Sequence, residues 1–142
     1  MVLPEDSIFA NMTHAFSSLK QLKPLMWVGG SKGSLDKVPE DVKDVFGSAL
    51  LDVQYGDTPA GAKPFGESLP REIWKIVEDD TGNTYRAVYT AAFSEVVYVL
   101  DVFMKKSKSG VKTPQADKDR IVQRFKAAKQ HYEDHYGRKR GH

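Results

Sequence analysis

The run Val96–Met104 reads VVYVLDVFM and is apolar at every position except Asp101. Unbroken β-branched and aromatic residues suit a central strand covered on both faces. A central strand needs neighbours, and two more strands are predicted directly before it, over Glu72–Glu78 and Thr84–Ala91. Between those two lies Asp79-Asp80-Thr81-Gly82-Asn83, whose Gly and Asn can take the left-handed conformations of a tight turn. The three runs read as an antiparallel meander. Two features break the apolar background: Arg86, in the middle of Tyr85-Arg86-Ala87-Val88-Tyr89, and the cluster Lys105, Lys106, Lys108 and Lys112 that follows the last strand. A cation in a small sheet is costly unless it is paired or faces a ligand.

The other elements are placed by their punctuation. Leu25-Met26-Trp27-Val28, closed by Gly29-Gly30, reads as an edge or joining strand. A short helix is predicted from Ser31 or Ser34 through Val38. Pro39 then starts a longer one, with Glu40 and Asp41 in its first turn. There Val42, Val45, Phe46, Ala49, Leu50 and Val53 recur at three-and-four spacing, and Gly56 ends the helix. Residues 56–70 are rich in Gly and Pro and show no period, so they read as a long loop with Lys63 its only basic residue. The last helix is bounded by Thr113 as N-cap, Pro114 at its first position and Gly137 beyond its last turn. Ile121, Phe125, Ala128, Tyr132 and Tyr136 line one of its faces. The expected fold is α+β: a small antiparallel sheet of about four strands, an N-terminal helical hairpin and a C-terminal helix, with the helices packed on one face. Residues 1–22 read as an arm, 23–137 as the domain and 138–142 as a basic tail.

Charge separates along the chain. Residues 101–142 hold 12 Lys/Arg against 5 Asp/Glu, whereas residues 1–100 hold 9 against 14. A basic C-terminal third on an acidic body points to an anionic partner or to a solvated basic helix. The chain contains no cysteine, which excludes disulfides and thiolate chemistry and fits a reducing compartment. No apolar run is long enough to span a membrane, and no secretory signal pattern is present.

Metal and cofactor chemistry finds little footing. His131 and His135 share a helix face at i, i+4, but no third ligand is apparent and Glu133 does not sit directly after the first histidine. The pair reads as solvent-facing, and neither a metal nor another cofactor is expected. Phosphate-loop and dinucleotide fingerprints are absent, as are serine and cysteine nucleophile motifs. The cations near the strand ends remain. Phosphodiester chemistry needs positive charge where negative charge develops, and RNA carries its own nucleophile in the ribose 2′-hydroxyl. A ribonuclease can then act by positioning and electrostatic stabilisation. Tyr85, Tyr89 and Trp74 could stack bases, or pack in the core. Arg86 could contact a phosphate, pair with Asp101 or Glu78, or do both.

The order and spacing of several segments carry a resemblance. Lys23-Pro24-Leu25-Met26-Trp27-Val28-Gly29, Ala62-Lys63-Pro64-Phe65-Gly66, Tyr85-Arg86-Ala87-Val88-Tyr89, Val97–Leu100, and Phe103-Met104-Lys105-Lys106 followed by Thr113-Pro114 are together similar to the phage-derived, HigB-like branch of the RelE/ParE toxin superfamily. The resemblance implies a type II toxin: a cytoplasmic, ribosome-dependent mRNA endonuclease held inactive by a cognate antitoxin, often one with a helix-turn-helix domain. It also implies that Arg86 contacts the scissile phosphate and that Lys105 and Lys106 form the basic pair after the last strand. Lys63 and Lys75 resemble basic positions that hold RNA or ribosomal RNA; Lys108 and Lys112 of the lysine cluster and the aromatic Tyr85 and Tyr89 are the further RNA contacts expected from the residues themselves. The chain departs from the family at Asp101, which stands where many relatives carry a histidine. No histidine lies between Glu72 and Lys112, so a histidine acid–base mechanism is not expected. Asp101 is then a partner for Arg86, a replacement base, or a mark of drift from the family's chemistry. The same superfamily also supports a ParE-like inhibitor of DNA gyrase, and a non-catalytic nucleic-acid-binding module is a third reading.

Overall fold

The computed structural model describes residues 22–106 and 112–137. The arm expected over residues 1–22 lies outside them except for its last residue, and so do the tail expected over 138–142 and Lys108. The elements are β1 (Leu25–Trp27), α1 (Ser31–Asp36), α2 (Glu40–Gln54), β2 (Ala62–Pro64), β3 (Trp74–Asp80), β4 (Asn83–Thr90), β5 (Val97–Lys106) and α3 (Gln115–Tyr132). A π-helical turn, Glu133–Gly137, follows α3. Among the described residues no helix is long and apolar enough to cross a membrane.

The fold is α+β, with one five-stranded sheet in the order β1-β5-β4-β3-β2. It is mixed rather than purely antiparallel, because β1 runs parallel to β5. From β1 the chain leaves through α1 and α2 and crosses the whole sheet before β5 returns beside it, so this pairing is not a hairpin. The fifth strand, β2, comes from the loop predicted over residues 56–70. It pairs Ala62 with Ile76 and Pro64 with Trp74, too few residues to leave an alternation in the sequence.

The helices lie on both faces of the sheet, not on one. On one face Val42, Phe46, Leu50 and Val53 of α2 pack against Ile76, Tyr85, Ala87 and Tyr89. On the other, Ile121, Phe125, Ala128 and Tyr132 of α3 pack against Ile73, Val88, Tyr98 and Leu100. Strand β5 is covered twice, as its unbroken apolar run requires. Of the predicted α2 stripe, only Val45 is exposed.

Strands β3 and β4 join through Thr81-Gly82, whose φ angles of 44° and 83° are both left-handed. Two left-handed centres match the twist of a two-residue hairpin. Asn83 already pairs with Asp80, so Thr81 takes the place that Asn83 was expected to fill. Pro39 and Pro114 are the residues flanking the starts of α2 and α3, one position earlier than predicted.

One irregularity controls the site. Val88 pairs with Asp101, but Tyr89 pairs with Val99, so Leu100 is an extra residue on β5. Such a bulge resets which face every later side chain points to. Asp101, Phe103 and Lys105 thereby join the α3 face.

Candidate functional site

Residues directly opposite one another in a sheet share a face. Lys63 pairs with Lys75 and Lys75 with Val88, Arg86 pairs with Phe103, and Thr84 with Lys105. With Val88 in the α3-side core, these rows place Lys63, Lys75, Arg86 and Lys105 on one face. Lys63 is exposed, Lys105 is half-buried, and Lys75 is only 9% exposed.

Arg86 is the central member. Its Nε and Nη1 are buried and have no hydrogen-bond partner among the described residues. A guanidinium stays charged at any physiological pH, and leaving a buried charged donor unsatisfied is expensive. Its surroundings add to that cost. Burial and then the charge of Arg86 push the Lys75 ammonium below its ordinary pKa, with Lys63 and Lys105 contributing further. Burial and Arg86 do the same to Lys105. The Lys75 Nζ lies 4.7 Å from the centre of the Phe65 ring, a contact that offsets part of this repulsion. Such a group is arranged for an anion that supplies the missing acceptors.

Two carboxylates act on these cations, Asp117 on Lys105 and Glu67 on both Lys75 and Lys105. Glu67 has φ 52° and Ser68 φ 68°, both left-handed. Non-glycine residues hold that conformation at a cost of about 1–2 kcal/mol each. Glu67 is held by Thr113, which donates its N–H (2.9 Å) to one carboxylate oxygen and its hydroxyl (2.8 Å) to the other. Lys118 Nζ stands 3.9 Å away. Burial acts to raise the Glu67 carboxyl. The Thr113 hydrogen bonds and the charges of Lys75 and Lys118 outweigh it and hold the group below its usual value. Thr113 thus ties the β2–β3 loop to the start of α3 instead of capping the helix. Sequence reasoning missed Glu67, since the length of the loop was the only signal near it.

Asp101 is not a partner of Arg86. It is 2% exposed and lies under α3. Arg120 donates from Nε at 2.9 Å to one of its oxygens. Arg124 Nη1 reaches the other at 3.2 Å and the Leu100 carbonyl at 2.9 Å. The Val102 N–H donates to Asp101 as well, at 2.9 Å. Burial pushes the carboxyl above its usual range against the opposing pull of Arg120 and Arg124. Gly29 serves the same assembly. Its φ is left-handed (57°), and a Cβ there would come within 2.7 Å of the Arg124 guanidinium. The bulge at Leu100 therefore gives Asp101 a structural ion-pair network in place of a role beside Arg86. The other suggested partner, Glu78, pairs with Tyr85 and so sits on the opposite face from Arg86.

Tyr85 and Tyr89 also fall on the α2 face, 8% and 3% exposed, across the sheet from the cations. The alternation of β4 forces this: neighbours of Arg86 at odd spacing must point away from it. They pack in the core and cannot stack a base held at Arg86. Lys106 ends β5 opposite Asn83, and Lys112 is exposed before α3. His131 Nδ1 lies 2.7 Å from the Tyr98 hydroxyl, and His135 stacks on His131. Among the described residues no group of three or more His, Cys, Asp or Glu could hold a metal ion.

Lys75→Met separates stability from charge at this site. The substitution keeps an unbranched apolar stem against Phe65 and removes a buried cation. It is expected to raise stability at neutral pH by about 0.5–2 kcal/mol. The folded-state pKa of Lys75 lies below its unfolded value of 10.5. Between the two the unfolded chain binds more protons, so the wild-type protein gains stability as pH rises through that window. The variant should lose this gain, as urea unfolding at pH 7 and in the alkaline range would show. A lower midpoint at pH 7 would mean that the ammonium–ring contact outweighs the repulsion.

In comparisons with known proteins, residues 34–126 match the family model described as phage derived protein Gp49-like. No curated protein and no solved structure matches the chain.

Proposed function

The chain belongs to the phage-derived Gp49-like family, a RelE/ParE-like toxin type, and from that premise we propose that it is the toxin of a type II toxin–antitoxin pair that cuts mRNA on the ribosome. The observation that carries this reading is Arg86, whose buried Nε and Nη1 lack acceptors while Lys63, Lys75 and Lys105 share its face. A phosphate oxygen would supply those acceptors.

In the proposed reaction the ribose 2′-hydroxyl gives its proton to water and attacks the adjacent phosphorus, and the bond from phosphorus to the 5′-oxygen breaks. Negative charge builds on the non-bridging oxygens, and the Arg86 guanidinium stabilises it. Lys105, whose lowered pKa eases proton release, assists the departing oxygen. Lys63 and Lys75 hold neighbouring phosphates, and the exposed Lys112 is a further contact to the RNA. With no histidine at the site, acceleration rests on positioning and charge stabilisation.

The resemblance of the Lys23–Gly29 and Phe103–Lys106 segments supports the HigB-like branch. The partner in this reading is a cognate antitoxin with a helix-turn-helix domain, and the place of action is the cytoplasm, where mRNA is translated. Brief induction followed by primer extension on cellular mRNA tests it. New 5′ ends within translated codons are the expected result. Intact mRNA together with a DNA-damage response would overturn it in favour of gyrase inhibition.

A further inference from the structure

A second concave site opens on the other side of the sheet from Arg86. It is a cleft of about 440 Å³ whose lining includes Trp74 and Tyr89, which pair across β3 and β4. That volume lies within the range of about 300–1,000 Å³ typical of small-molecule sites. The Tyr89 ring is buried, and its hydroxyl, which makes no hydrogen bond among the described residues, is not one of their fully enclosed unpaired polar atoms and so opens to the cleft. Burial pushes its pKa up to about 12, so it remains a donor through the physiological range. The same cleft is lined by Lys23 and Arg71 and by Asp57 and Glu72. None of these four side chains forms an ion pair among the described residues.

The lining asks for four things in one ligand: a flat π face against Trp74, an acceptor for the Tyr89 hydroxyl, an anionic group for Lys23 and Arg71, and donors for Asp57 or Glu72. Guanine nucleotides combine them. The purine stacks, O6 and N7 accept, and the 5′-phosphate is the anion. The N1–H and the 2-amino group form a paired donor edge that fits a carboxylate, and uracil lacks that pair. We propose that the cleft between Trp74 and Tyr89 is a binding site for a guanine nucleotide, separate from the Arg86 site. It does not depend on the endonuclease reading.

Isothermal titration of the full chain with 5′-GMP, 5′-UMP, the single-stranded RNA UUGUU and the dipeptide Gly-Trp tests the proposal. GMP is expected to bind at least tenfold more tightly than UMP. Tyr89→Phe, which keeps the ring and its packing, should weaken GMP binding about tenfold, in line with one lost hydrogen bond. Trp74→Leu should remove detectable binding while circular dichroism stays unchanged. Arg86→Ala should leave GMP binding intact even where it abolishes RNA cleavage, so the two sites fail separately. Tighter binding of UUGUU than of GMP identifies the ligand as a guanosine within RNA, and equal or weaker binding identifies a free nucleotide. Absence of binding by both, equal affinity for UMP, tighter binding of Gly-Trp, or loss of GMP binding in Arg86→Ala would overturn the proposal.

Discussion

Arg86→Ala is expected to abolish growth arrest on induction and to lower mRNA cleavage by about 10²–10³-fold, or ~2.7–4 kcal/mol of transition-state stabilisation. The fold should survive the change. Two of the guanidinium nitrogens are buried without partners, so truncation strands no acceptor and removes a charge repelled by its neighbours. Unfolding stability should therefore be unchanged or higher, which separates loss of function from loss of structure. Arg86→Lys is the sharper variant. It keeps the charge but loses the planar fork that can bridge two phosphate oxygens, so it should recover only part of the activity. Quantified cleavage of a defined mRNA in a translating extract, alongside urea unfolding of each variant, gives both readouts. Full cleavage by a folded Arg86→Ala protein would remove Arg86 from the reaction.

Asp101→Ala is expected to cost about 3–5 kcal/mol of stability, the usual penalty for removing one partner of a buried ion pair. The loss would leave Arg124 without its carboxylate, Arg120 with Asp117 alone, and the Val102 N–H unsatisfied. Asp101→Asn should cost markedly less. Burial already disfavours the charged carboxylate, and an amide oxygen still accepts from Val102 and Arg124. The contrast also tests the role of the residue. If Asp101 is structural, the Asn variant cleaves RNA normally per folded molecule. If it serves as the base, the Asn variant is folded and inactive. Thermal unfolding and cleavage measured on the same samples decide between them.

Much of the architecture was legible in the sequence. The stripe Ile121, Phe125, Ala128 and Tyr132 is buried along α3 as its spacing required. Strands β3, β4 and β5 fall within two residues of the predicted runs at each end. Strand β2 was not legible, because three residues in an aperiodic loop hold no pattern. The Glu67–Thr113 tie was equally hidden: its partners are 46 residues apart, Glu67 stands in no motif, and Thr113 reads as a helix cap.

The sequence by itself determined a sheet with β5 inside it and a cation at Arg86 that had to be paired or matched to an anion. It did not determine which residues stand beside that cation. An unbroken apolar run such as Val96–Met104 reads alike on both faces, so nothing local marks Leu100 as the bulged residue. Tertiary pairing with β4 makes that choice and turns Asp101 toward Arg120 and Arg124. The same pairing gathers Lys63, Lys75 and Lys105 around Arg86 from three strands and sends Tyr85 and Tyr89 to the opposite face. Strand register is a long-range property, and it sets which charges meet.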